Sequence, residues 1–312
     1  MRTAAALLPL LLLASPAPAA EPRGARIVDA ASLAAALAAP AAPLVLDARD
    51  RRTFEAGHVP GSRPVDWRDF SEVRPGGLTF VFGGSARWGL LSASLPGLGA
   101  KLRRLGVAAA RPAVVVGSPE GWGEEGRIAW MLLYLGVEDV ALLDGGFPAW
   151  AHLSGAAVSH RPARAGESGD FTPRPTAARR ISREALRRAL AGGEVVLLDA
   201  RTLEEFAGKT LKGQKRGGHL PGARLVPAAK LRSPDGAYAS AEELLRLAGP
   251  IPREAALVTY CTGGVRSALL AFLLEARLGL VAANYDGSLW EWGDDESLPL
   301  VSGTSEAAHP PP

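Results

Sequence analysis

Cysteine is almost missing from this chain: Cys261 is the only one in 312 residues. No intramolecular disulfide can form, so buried apolar surface has to hold the fold. Histidine is also sparse. The five present are scattered without metal-ligand spacing, and no resident metal is expected. An excess of either charge is lacking too, because 35 Lys and Arg stand against 32 Asp and Glu, a net charge of +3. The basic residues are spread out, which excludes the clustered stripe of a nucleic-acid surface. There is no phosphate-binding glycine fingerprint, and no cofactor is implied. Beyond the extreme N-terminus, no apolar run is long enough to span a bilayer.

The N-terminus is different in kind. Met1-Arg2-Thr3 precedes an apolar run from Ala4 to Ala14, and small residues follow at Ser15-Pro16-Ala17-Pro18-Ala19-Ala20. Residues 1–19 therefore read as a secretory signal peptide, with cleavage expected after Ala19. No cysteine lies near that site to carry a lipid. The mature chain is expected to be exported, into a bacterial periplasm, without a membrane span. Exported proteins usually pair their cysteines. A single unpaired thiol in such a protein calls for a chemical explanation.

What the chain has in plenty is apolar residues, 47%, and a length that suits about two domains. An internal repeat supports that division. Leu44-Val45-Leu46-Asp47-Ala48-Arg49 matches Val196-Leu197-Leu198-Asp199-Ala200-Arg201, and Phe54 and Phe206 follow at equal spacing. Gly57-His58-Val59-Pro60-Gly61 matches Gly218-His219-Leu220-Pro221-Gly222, and Leu143-Asp144-Gly145-Gly146 matches Tyr285-Asp286-Gly287-Ser288. Strand patterns alternate with helical ones, which predicts α/β domains with mostly parallel sheets covered on both faces. The expected organisation is an N-terminal domain over 26–152, a linker over 153–180, a C-terminal domain over 181–295 and an unfolded tail over 296–312. Capping patterns place helix starts at Ser182, Thr202 and Ser240, the last two as boxes with Glu205 and Glu243.

Cys261 falls where an apolar strand, Ala255 to Tyr260, gives way through Thr262-Gly263-Gly264-Val265 to a long helical pattern. Ligands bind beyond the carboxyl ends of strands in such sheets. Loop N–H groups, the positive end of a helix dipole and Arg266 would then converge on the sulfur and favour a thiolate. The equivalent strand of the first half, Ala113 to Val116, runs into a longer acidic loop with no comparable nucleophile. That half is expected to be catalytically inactive and to shape one wall of the site. A lone cysteine is otherwise a small buried hydrophobe.

These motifs, in order and duplicated, resemble the tandem-domain rhodaneses, the thiosulfate and 3-mercaptopyruvate sulfurtransferases. The resemblance covers about residues 26 to 295 and implies a five-stranded parallel sheet per domain. It also implies an inactive N-terminal domain and a persulfide carried on Cys261. In that chemistry the thiolate takes sulfur from a small anionic donor such as thiosulfate and passes it to cyanide or a thiol, including that of a thioredoxin-like protein. The substrate-binding set would be Thr262, Gly263, Gly264, Val265, Arg266 and Ser267, the loop that closes over the sulfur. Mercaptopyruvate-type members usually have Thr where Arg266 stands, which favours the thiosulfate type. Two departures remove cations that other members use: Glu205 stands at one position and Gly263 at another. The basic run Lys209, Lys212, Lys215 and Arg216 lies in a nine-residue insertion relative to the first half and could replace them, or be a solvated loop. A monomer is expected.

Two rivals fit less well. Cys-dependent phosphatases and arsenate reductases place five residues between Cys and Arg, and here there are four. A cysteine protease needs a His beside the thiol, yet His58 and His219 recur in both halves and so read as structural. A persulfide carrier or redox sensor that does not turn over free thiosulfate remains the alternative from another class.

Overall fold

A computed structural model describes residues 24–73, 87–108, 110–161, 168–193, 195–252 and 255–304. The signal-peptide segment lies outside the described residues. The N-terminal domain is built on five parallel strands in the order β1 (Gly24–Val28), β7 (Asp139–Leu143), β6 (Ala113–Val116), β2 (Leu44–Asp47) and β3 (Arg63–Pro64). The C-terminal domain repeats this order with β11 (Ala283–Asn284), β10 (Ala256–Tyr260), β8 (Val195–Asp199) and β9 (Arg224–Leu225), again all parallel. The expectation of five strands in each domain therefore needs correction. The fifth place in the second sheet is a single parallel bridge between Arg180 and Asn284. One bridge serves there because the neighbouring β11 has only two residues to pair.

The inner strands are buried along nearly their whole length, as apolar runs covered on both faces must be. Both strand ends carry the same lock. Arg201 donates to both carboxylate oxygens of Asp199 at 2.6–2.9 Å and to the carbonyl of Gly218 at 2.8 Å. Arg49 treats Asp47 and the carbonyl of Gly57 alike, at 2.7–3.3 Å. His58 stacks on Phe54 with ring centroids 3.9 Å apart, and His219 stacks on Phe206 at 3.6 Å. Each His Nδ1 lies 2.9 Å from that phenylalanine's carbonyl oxygen. Both histidines are scaffold.

The repeat runs further than its motifs. Trp150 Nε1 donates to the carbonyl of Ala157, seven residues on, and Trp292 Nε1 donates to that of Pro299 at the same interval. Ser159 then forms an antiparallel bridge with His58, and Val301 one with His219. Residues 153–161 thus close the N-terminal domain and are not linker. Residues 296–302 likewise pack, with Leu298 buried, and are not an unfolded tail; residues 305–312 lie outside the description. The described part of the remaining connection, residues 168–180, is bonded to the first domain. Arg103 donates to the carbonyl of Phe171, and the N–H groups of Arg174 and Thr176 donate to Leu135 and Tyr134.

The helix after each central strand, Glu124–Tyr134 in the first domain and Arg266–Leu278 in the second, packs against the other. One apolar cluster runs through both domains at this seam, including Ile128, Leu132, Leu269 and Phe272. Gly126 permits the contact, since a Cβ there would lie 2.5 Å from the Cα of Leu269. Overpacking of this kind costs about 1–3 kcal/mol. Gly126→Ala should lower stability by about that much in urea unfolding, with neutral or small positive effects from Gly192→Ala, which faces open space near a helix end. Equal stability of the two variants would show that the helices do not meet as closely as this.

Candidate active site

Cys261 is the first residue after β10, and its side chain is buried, with 2% of the residue exposed. The chain after it turns through two glycines. Gly264 has φ +73°, a conformation that favours glycine, and its N–H donates to Cys261 Sγ at 3.1 Å. Val265 is the N-cap of the helix Arg266–Leu278 and offers no side-chain oxygen to its first N–H groups. Those groups and the helix dipole are left to an anion. Sulfur is the atom placed to receive them.

Neighbouring side chains hold this turn in place. The Cys261 N–H donates to Ser288 Oγ, whose own hydroxyl donates to the carbonyl of Tyr285. Asn284 accepts the Ser267 hydroxyl at 2.6 Å and donates to the carbonyl of Gly264 at 3.1 Å, joining the loop to β11. Trp290 covers Gly263, where a Cβ would overlap its ring, and its indole N–H donates to the carbonyl of Lys212 at 2.9 Å. Ser288, at φ +52°, is the only described non-glycine residue with positive φ, and it serves this loop. Neither Asn284 nor Ser288 carries a motif signal beyond the duplicated Asp-Gly turn, and sequence reasoning missed both.

Burial raises the Cys261 thiol's pKa, but the Arg266 charge and hydrogen bonds from Ser267 and the backbone at Gly263 outweigh it, leaving the pKa below the ordinary thiol value. Arg266 is not free, however. Its Nη1 and Nη2 donate to Glu205 at 2.7 and 2.9 Å, and Nη2 also reaches the Thr262 hydroxyl at 2.9 Å. The Thr262 hydroxyl in turn donates to Glu205 at 2.8 Å. Glu205 still completes the capping box with Thr202 foreseen from sequence, so one carboxylate serves two purposes. The second box is only half made: Ser240 caps Glu243 N–H, while the Glu243 carboxylate goes to Arg246.

All six loop residues expected around the sulfur are where sequence put them, but their roles divide. Gly263, Gly264 and Ser267 address the sulfur, Arg266 acts on it by charge while bound with Thr262 to Glu205, and Val265 shapes the turn. The basic run does not converge on the site as a group. Lys209 pairs with Glu204, Lys215 with Asp294, and Arg216 with the carbonyls of Trp292, Gly293, Asp295 and Leu298. Only Lys212 reaches across, lying 4.3 Å from the ring centroid of exposed Trp122 in the N-terminal domain. Among the described residues no group of His, Cys, Asp and Glu could hold a metal ion, and no helix is long and apolar enough to cross a membrane.

Residues 29–153 and 182–295 both match the model of the Rhodanese-like domain, which accounts for most of the chain. The chain belongs to the rhodanese-like family. It is 29% identical over 263 residues to the sulfur carrier protein TtuD of Thermus thermophilus, covering 80% of this chain and 87% of the relative. It is also 29% identical to the thiosulfate sulfurtransferase of Corynebacterium glutamicum, over 89% of this chain and 91% of that one. Among solved structures, YnjE superposes with a TM-score of 0.75 at 22% identity, over 91% of this chain and 70% of that one. Wild-type EanB does so with 0.73 at 21% identity, over 89% and 69%. These two likenesses show the rhodanese-like fold.

The Glu205 carboxyl, opposed by burial but held by Arg266 and the Thr202 and Thr262 donors, sits at about 2 instead of 4.5. A depressed carboxylate adds stability above its unfolded value, and that stability is lost as the pH falls from about 4.5 towards 2. The melting temperature of the wild type should fall through that window more steeply than that of Glu205→Gln. Parallel slopes would refute the pairing.

Proposed function

We propose that this protein is a sulfurtransferase that carries sulfane sulfur as a persulfide on Cys261. The observation that carries the reading is the sulfur's setting: one buried thiol, a Gly264 N–H at 3.1 Å and a helix N-terminus without a side-chain cap, in a rhodanese-like chain. The Cys261 thiolate attacks the outer sulfur of thiosulfate, forming the Cys–S–S bond while the donor's S–S bond breaks and sulfite leaves with its electron pair. Loop amides stabilise the new terminal sulfur anion. Cyanide or a thiolate then attacks that sulfur, and the electron pair of the Cys–S–S bond returns to Cys261. A thioredoxin-like thiol protein fits as a physiological acceptor. Four residues between Cys and Arg make a ring suited to sulfur, and Arg266 favours thiosulfate over mercaptopyruvate.

We further infer that the N-terminal domain forms no persulfide of its own, because β6 leads to Ser118 and a Glu-rich loop in place of a thiol. A cavity of about 1060 Å³ opens there, lined among others by Asp66, Glu120, Trp122 and Glu124. Export to the periplasm by residues 1–19 and action as a monomer belong to the same proposal. One observation favours a carrier over a turnover enzyme: Glu205 takes up the Arg266 charge that would otherwise draw in a dianion. The sulfur-carrier relative agrees with this second reading.

Purified protein treated with thiosulfate should gain the mass of one sulfur atom, and Cys261→Ser should gain none. Turnover with thiosulfate and cyanide should exceed that with mercaptopyruvate and a thiol, and Cys261→Ala should abolish it. Sulfur loading without turnover would select the carrier reading; an adduct that survives in Cys261→Ser would end both.

A further inference from the structure

Arg127 lies in the first turns of the helix Glu124–Tyr134, in the domain that has no thiol, and its side chain is buried. Nη2 donates to the carbonyl of Gly89, while Nη1, equally enclosed, has no hydrogen-bond partner. The nearest carboxylate among the described residues, Asp286, is 3.9 Å away, beyond hydrogen-bond reach. That carboxylate is already engaged by Arg180 Nε at 3.0 Å and by the Leu91 N–H at 2.8 Å. Two guanidiniums therefore share one carboxylate; Arg180 is partly open to solvent, whereas the enclosed Arg127 guanidinium, 4.6 Å from the Trp130 ring centroid, has no carboxylate of its own. An uncompensated buried charge is costly, so it calls for an anion nearby.

The Cys261 loop is next to it on two sides. Gly89, which accepts from Arg127, abuts the loop so closely that a Cβ there would overlap the carbonyl oxygen of Gly263. Asp286, which Arg127 faces, presents its own carbonyl to Gly264, where a Cβ would be 2.5 Å away. The remaining charges around the sulfur cancel in pairs. Arg266 is matched by Glu205, and Arg201 by Asp199. Among the described residues, the Arg127, Arg180 and Asp286 group has the excess.

We propose that Arg127 is a positioning residue supplied by the N-terminal domain, whose unmatched buried charge stabilises the anionic sulfur held by the Cys261 loop. The persulfide part of this rests on the sulfur-transfer reading; the thiolate part does not. Burial brings the Arg127 pKa down to about 10, which leaves it a cation at neutral pH, and the charge on Cys261 pulls it back up. The domain without a nucleophile thereby becomes necessary for the reactivity of the other.

Because Cys261 is the only cysteine, its alkylation by iodoacetamide in the full-length protein reports its thiolate without ambiguity. Rates across a pH series give the midpoint of ionisation. Arg127→Met should raise that midpoint by about one pH unit and slow alkylation about tenfold at neutral pH, with an unchanged plateau at high pH. Arg127→Lys should restore the midpoint, and Asp286→Asn, which deepens the excess, should lower it. A structural role alone would change the melting temperature and leave the midpoint in place, which would overturn the proposal. Should Arg127→Met fail to fold by circular dichroism, an unmoved midpoint in Asp286→Asn overturns it equally. Sulfur loading of the wild type from thiosulfate, followed by intact mass, tells the two failures apart: no loading sinks sulfur transfer, whereas loading with an unmoved midpoint sinks only the role of Arg127.

Discussion

Backbone meets backbone where the two domains join, and the site depends on that closeness. Gly126 lies against the Cα of Leu269, and Gly89 lies against the carbonyl of Gly263. A side chain at either place would push the helix Arg266–Leu278 or the turn before it away from the first domain. Both helices follow the central strands of their sheets, so their N-terminal ends are brought together at the seam. An interior this dense transmits displacement with little relaxation. The Cys261 loop is consequently held from both domains: by Ser288 and Asn284 on its own side, and by Gly89 on the other, where the Leu91 N–H also ties down the neighbouring Asp286.

Charge is distributed with the same economy. A thiol at 2% exposure would ordinarily stay protonated, since desolvation disfavours the anion. Its nearest guanidinium, Arg266, is bound to Glu205, and that bond does two opposing things. It fixes Arg266 and Thr262 in one geometry, which keeps the turn closed. It also places a carboxylate close enough to weaken the field that Arg266 exerts on the sulfur. A site built this way leans on backbone N–H groups and the helix terminus more than on a free cation. That suits an anion as small as a terminal sulfur better than it suits capture of a dianion from solvent.

Much of this was legible in the chain. The duplicated Asp-Ala-Arg and Gly-His-x-Pro-Gly motifs gave two α/β domains and separated scaffold from chemistry, because a residue present in both halves cannot account for a thiol present in one. Cys261 at a strand end followed directly. The unreadable parts share a physical reason: they depend on contacts between elements far apart in sequence. Residues 153–161 and 296–302 look like linker and tail by composition, yet each closes its domain through one bridge to a histidine and one bond from a tryptophan. The fifth strand of the second sheet shrank to one bridge because its neighbour is two residues long, a length no apolar pattern reveals. Glu205 was identified as a capping residue from local spacing, which is correct, but its bond to Arg266 spans 61 residues.

The pseudo-symmetry of the seam shows why a domain without a nucleophile retains so much of the architecture. At the helix start where the second domain has its thiol loop, the first has Glu125, a buried carboxylate beside Gly117. Burial raises its pKa, and Arg232 and Tyr238 from the second domain bind its Oε1. Each central loop thus holds an acidic group at a helix N-terminus, and each receives a guanidinium from the opposite domain: Arg232 for Glu125, Arg127 for the thiol loop. The exchange differs in one respect. Arg232 is hydrogen-bonded to the Glu125 carboxyl, whereas Arg127 keeps a donor unspent. A pair already neutralised holds the domains together and does no more. An unspent donor can follow a charge that moves, and in the proposed reaction the negative charge of the second domain's loop passes from Cys261 Sγ to the terminal sulfur and back.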